Sequence, residues 1–171
     1  MLNSRNLFIL ILISASVALR VADVLPYNFS PIAAIALFGG AMFTNRALGF
    51  VLPLLVLFVS DVFIGFHDTM IAVYGSFMLV TLIGQLVRKN PSMLNAVAGS
   101  LAGSVIFFLI TNAAAWFGNA YYTQDVAGLL NSYALGVPFF RGTVMGDLFF
   151  TLVFFGTFQL AKYRFPSLVK A

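Results

Sequence analysis

Six long apolar blocks, at roughly 7–25, 30–44, 47–64, 70–87, 93–115 and 143–161, constrain this chain more than any motif it carries. Most approach the roughly 17–25 residues a helix needs to cross a bilayer. A soluble fold would leave several such helices without a water-facing side. Hydrophobic residues make up 61% of the 171 positions and charged residues 8%, which places the chain in the same class. Strands of a membrane barrel alternate polarity over about ten residues, whereas these blocks are continuous. The expectation is an all-α polytopic membrane helical bundle with about six transmembrane helices, one integral membrane domain over residues 1–171.

The basic residues orient that bundle. With the amino terminus in the cytoplasm, Arg5, Arg46, Arg88, Lys89, Lys162, Arg164 and Lys170 fall inside, and only Arg20 and Arg141 fall towards the other face. Short loops are where this bias is informative, so both termini are expected in the cytoplasm. The net charge of +4 is scattered over helix ends and forms neither a basic helix nor an aromatic-basic groove, which argues against a nucleic-acid partner. With no cysteine, disulfides, thiolate catalysis and cysteine metal sites are excluded. The first block has Arg5 before it, as a signal peptide would. It runs into Arg20 and Asp23 without a clean cleavage site, so it is expected to stay as the first helix.

Small residues mark where helices approach closely. Ser14, Ala18 and Ala22 recur at spacing four on the first helix, a stripe suited to bundle packing or to docking on a separate membrane partner. Gly99 with Gly103 is a second such pair, and Gly39-Gly40 reads as a packing device because it lacks the rest of a phosphate loop. The second block, Ile32 to Phe43, is short for a span and rich in Ala and Gly, as expected of a helix tucked among its neighbours. The aromatic-rich segment from about Phe117 to Gly142 is expected to lie at the outer interface as a cover, with the sixth helix beginning near Gly142.

On this topology the unusual polar residues share one depth, the outer third. Arg20 and Asp23 stand near the end of the first helix, with Asn28 just beyond it. Asp61 stands near the end of the third, Asn112 and Trp116 near the end of the fifth, and Arg141 and Asp147 flank the start of the sixth. Ionisable groups there are costly unless they pair or line a wet cavity, so an outward-facing polar pocket is expected. Arg20 and Asp23, three apart, suit either a local ion pair or a donor to an anionic or carbonyl-bearing ligand with its positioning partner. Asp61 is read as a ligand or ion site, or as a contact to Arg20 or Arg141. Asp147 is read as a partner of Arg141 or Arg20. Asn112 with Trp116 suits a planar ligand, or helix packing plus an aromatic belt. His67 beside Asp68 is a weak metal signal, and no metal site, cofactor or catalytic constellation is expected.

The run from Asn28 through Ser30-Pro31 to Gly39-Gly40, the Ser60-Asp61 pair, Thr111-Asn112 followed by Trp116, and Pro138-Phe139-Phe140 resemble an uncharacterised family of small bacterial integral membrane proteins. That resemblance covers nearly the whole chain. In size, layout and outer pocket the chain is also similar, more distantly, to the substrate-binding S components of energy-coupling-factor vitamin transporters. The resemblance implies a component of the bacterial inner membrane that captures a vitamin or related micronutrient. It also implies a transmembrane coupling protein with ATPase subunits as partner, docked where Ser14, Ala18 and Ala22 are spaced by four. The function expected is binding and uptake of a small molecule without enzymatic chemistry. The alternatives are a membrane scaffold or assembly protein, and an autonomous ion-coupled transporter, for which midmembrane polar groups and an internal repeat are wanting.

Overall fold

The computed structural model describes residues 4–22, 25–43 and 45–165. It holds six α-helices: α1 Ser4–Val21, α2 Ile32–Met42, α3 Arg46–Ile64, α4 Met70–Val87, α5 Met93–Trp116 and α6 Val126–Arg164. The four from α3 to α6 are long and apolar enough to cross a membrane. Helix starts are set by short polar side chains that accept from otherwise orphaned N–H groups. Asn45 accepts from Ala47 N, Ser92 from Asn95 N, and Asp125 from Gly128 N. The all-α bundle read from the apolar blocks is the observed fold.

Short α2 is the axis of the molecule. All its residues are buried, and α1, α3, α4, α5 and α6 all pack on it. Glycine makes the closest of these contacts possible. A Cβ on Gly40 would run into the Thr81 carbonyl oxygen of α4, and one on Gly84 into the Leu37 carbonyl oxygen of α2, so the two backbones touch where they cross. On the other side Gly49 of α3 leaves room for the Gly39 carbonyl, which a Cβ would meet at 3.1 Å. Phe38 fills the remaining direction against Phe154, Phe155 and Phe158 of α6, with ring centroids 5.1–5.7 Å apart. Gly99 and Gly103 of α5 face Val80, Ile83 and Val87 of α4, as the spacing of that pair predicts.

Eleven residues of helix rise only about 16 Å, roughly half the ~30 Å hydrocarbon core of a bilayer. The C-terminal end of α2 sits at the basic end of the bundle, where Arg88 Nη1 donates to the Phe43 carbonyl at 2.8 Å. Its N-terminal end therefore lies inside the bundle. The Pro26–Pro31 connection descends to meet it through a turn in which Phe29 N donates to Pro26 O and Asn28 takes a left-handed φ of 57°.

Helix α6 departs from expectation. In place of an interfacial cover followed by a helix from Gly142, one helix of 39 residues runs from Val126, and the connection to α5 is short. Pro138 sits inside it, where a missing N–H and a ring clash favour a bend. Ser132 stands against Asn112 and Asp147 against Ser104. Over that interval α5 advances eight residues while α6 advances fifteen. Helix α6 therefore takes a longer, oblique path, and the Tyr27–Ser30 segment packs on it at Gly142 and Gly146.

Helix α1 is peripheral, packing on α3 and α2 and reaching α6 through Phe8 against Phe158. Ser14, Ala18 and Ala22 are all exposed, so their stripe faces away from the bundle and does not pack within it.

Candidate functional site

Because α2 starts below the outer end of its neighbours, a cavity of about 220 Å³ lies above its first turn. Ala33 belongs to its floor, Asp61 and Leu57 come from α3, Val73 and Phe77 from α4, Phe107 from α5, and Thr143 and Asp147 from α6. Asn28, Ser30 and His67 complete it from the connecting segments. A second, more open cavity of about 470 Å³ shares Asn28, Phe107 and Thr143 with the first and continues outward past Phe108, Thr111, Asn112 and Phe140. The two cavities adjoin at these shared residues.

Both carboxyl groups in the inner cavity are buried, each residue 3% exposed. Tyr74 donates its hydroxyl to Asp61 Oδ2 at 2.9 Å. Asp147 Oδ2 lies 2.6 Å from Ser104 Oγ, whose hydroxyl also reaches the Ser100 carbonyl at 3.0 Å. Ser104 has one proton for two acceptors. Among the described residues Ser104 is the only side chain that bonds Asp147. Phe77 and Phe107 stand side by side in the cavity wall, with centroids 5.1 Å apart. The site thus combines buried carboxyl oxygens, hydroxyl and amide groups, and an aromatic face.

The structure brings together Asn28, Asp61 and Asp147, and puts Asn112 on the adjoining outer cavity. Asn112 Nδ2 donates to the Phe108 carbonyl, and its Oδ1 fills the place that a Cβ would take on Gly136. Trp116 belongs to neither cavity. Its indole N–H donates to Thr123 O at 2.8 Å and pins the loop between α5 and α6, so the expected pairing with Asn112 around a planar ligand is not formed. Arg141 is exposed and makes no ion pair with Asp147, whose partner is Ser104. The side chain of Arg20 and the whole of Asp23 lie outside the described residues, and with them their pairing. Among the described residues no group of His, Cys, Asp and Glu could hold a metal ion. His67 bonds Thr69 at 3.0 Å.

Tyr74, Phe77, Ser104, Phe107 and Thr143 were not legible as site residues. The one available signal is Ser100 and Ser104 at helical spacing on an otherwise apolar stretch of α5.

Residues 1–168 match a family described as a family of unknown function, DUF6580. The chain belongs to that family. Comparison with curated proteins and with solved structures gave no match. Four of this chain's described helices are long and apolar enough to cross a membrane.

Proposed function

We propose that the protein is a small-molecule-binding component of an uptake system in the bacterial inner membrane. It would receive its ligand from outside, in the cavity above α2. The reading is carried by one observation: Asn28, Asp61 and Asp147, from three separate parts of the chain, meet in one cavity that adjoins a more open one. Two buried carboxyl groups, with an exposed amide beside them, on a cavity with apolar walls suit a specific small-molecule site.

The orientation supports it. Arg46, Arg88, Lys89, Lys162 and Arg164 lie at or near the end opposite the cavity, where they line two grooves and the last turn of α6. The positive-inside bias assigns that end to the cytoplasm and the cavity to the outside. A transmembrane coupling protein with ATPase subunits, which the likeness to S components implies, would dock on the exposed Ser14, Ala18 and Ala22 of α1. The same exposed stripe is what favours the alternative, a non-enzymatic scaffold.

Native mass spectrometry of the gently solubilised protein, with small molecules identified after release, tests the reading. A micronutrient-sized molecule retained at one per chain is the expected outcome. An empty chain held to an unrelated membrane protein would replace uptake with scaffolding.

A further inference from the structure

The uptake reading leaves the chemical class of the ligand open, and the inner cavity narrows it. Asp147 is 97% buried by its 3% exposure, lines the cavity, and has one oxygen held by Ser104, with no further side-chain partner among the described residues. A carboxylate in an apolar bundle is costly unless it is paired. Among the described residues no Lys or Arg lines the cavity. The first turn of α2 at the floor offers at most about half a positive charge, less than one carboxylate requires. Beside Asp147, Phe77 and Phe107 present an aromatic pair, whose faces attract cations within about 6 Å.

Resting on that uptake reading, we infer that the ligand is a small organic cation, a protonated amine or quaternary nitrogen on an apolar or aromatic body. Its charge would sit against Asp147 and its body against Phe77 and Phe107. The cavity itself argues against a bare metal ion. Hard cations draw oxygen ligands to roughly 2.3–2.6 Å on all sides, whereas this space of about 220 Å³ is walled in large part by Leu57, Val73, Phe77 and Phe107. Ligand binding thus supplies a counter-charge that no described residue offers Asp147, and an anionic ligand would meet an opposing carboxylate.

Benzyltrimethylammonium, benzylammonium, benzyl alcohol and benzoate, titrated against the purified full chain by calorimetry, separate charge from shape. Both cations are expected to bind more tightly than benzyl alcohol, with benzoate weakest. Asp147→Asn keeps the size of the side chain and its contact with Ser104. It is expected to weaken cation binding by roughly tenfold to a hundredfold and to leave benzyl alcohol within about twofold. Cations that bind no better than the alcohol, or a preference that survives Asp147→Asn, would overturn the inference. If Asp147→Asn fails to fold, Phe77→Leu replaces it: loss of the cation preference supports the site, and an unchanged preference overturns it. A neutral or anionic metabolite retained in native mass spectrometry would sink the cation while leaving uptake standing. Absence of any retained molecule would strike the uptake reading itself.

Discussion

At the scale of single residues, glycines decide how closely the bundle closes. Gly84 and Gly75 stand on the same helix, but a Cβ on Gly84 would collide with the Leu37 carbonyl, while one on Gly75 meets nothing within 4 Å. Gly84→Ala is therefore expected to destabilise the protein by about 1–3 kcal/mol through forced separation of α4 from α2. Gly75→Ala is expected to be neutral or to stabilise by up to about 1 kcal/mol, through lost freedom of the unfolded chain. Unfolding titrations in mixed detergent micelles compare the two, and equal effects would remove the close crossing as the cause. Residues also differ in how far the sequence betrays them. Asp61 and Asp147 are conspicuous because charge is rare in apolar segments. Ser104 is one hydroxyl among several, and only its 2.6 Å approach to Asp147 distinguishes it.

At the scale of elements, α2 and α6 shape the cavity in opposite ways, one by being short and the other by being long. The shortness of α2 is visible in its small-residue block; the extra length of α6 is not. Aromatic residues between Val126 and Gly142 suggest an interfacial segment. Helix continues there because Ser132 bonds the Asn112 carbonyl and Tyr133 the Leu109 carbonyl, fastening that stretch along α5. Its start is set by Asp125, whose carboxyl is held below the ordinary carboxylate range first by the Gly128 N–H and then by the Thr123 hydroxyl. A carboxyl whose pKa is lowered on folding contributes above its unfolded value and loses that contribution as pH falls through the folded one. Protection of the amides in the first turn of α6, taken relative to their intrinsic exchange rates, is accordingly expected to fall below about pH 4, and in Asp125→Ala to be weak already at neutral pH. A first turn that exchanges alike in both proteins at neutral pH would show that the cap contributes nothing.

At the scale of the whole molecule, the basic end and the cavity end lie opposite each other, so the orientation can be tested without disturbing either. The chain has no cysteine, and single reporters can be placed at Asn119, in the loop between α5 and α6, and at Lys89, between α4 and α5. Asn119→Cys is expected to react in intact cells with a membrane-impermeant maleimide, and Lys89→Cys only after permeabilisation; the reverse pattern would invert the topology. Class, helix number and the separation of basic from polar ends were determined by the sequence alone, because apolar block length and the placement of charge are one-dimensional quantities that the bilayer reads directly. Lateral convergence was not. Equal depth leaves each helix free to turn its polar residue in any direction. Tertiary structure decided that Asn28, Asp61 and Asp147 share a cavity while Trp116 and Arg141 stand apart from it. The physical reason is steric: backbone contacts at Gly40, Gly84, Gly142 and Gly146 set the rotation and path of each helix, and those contacts exist only once all the helices are packed together.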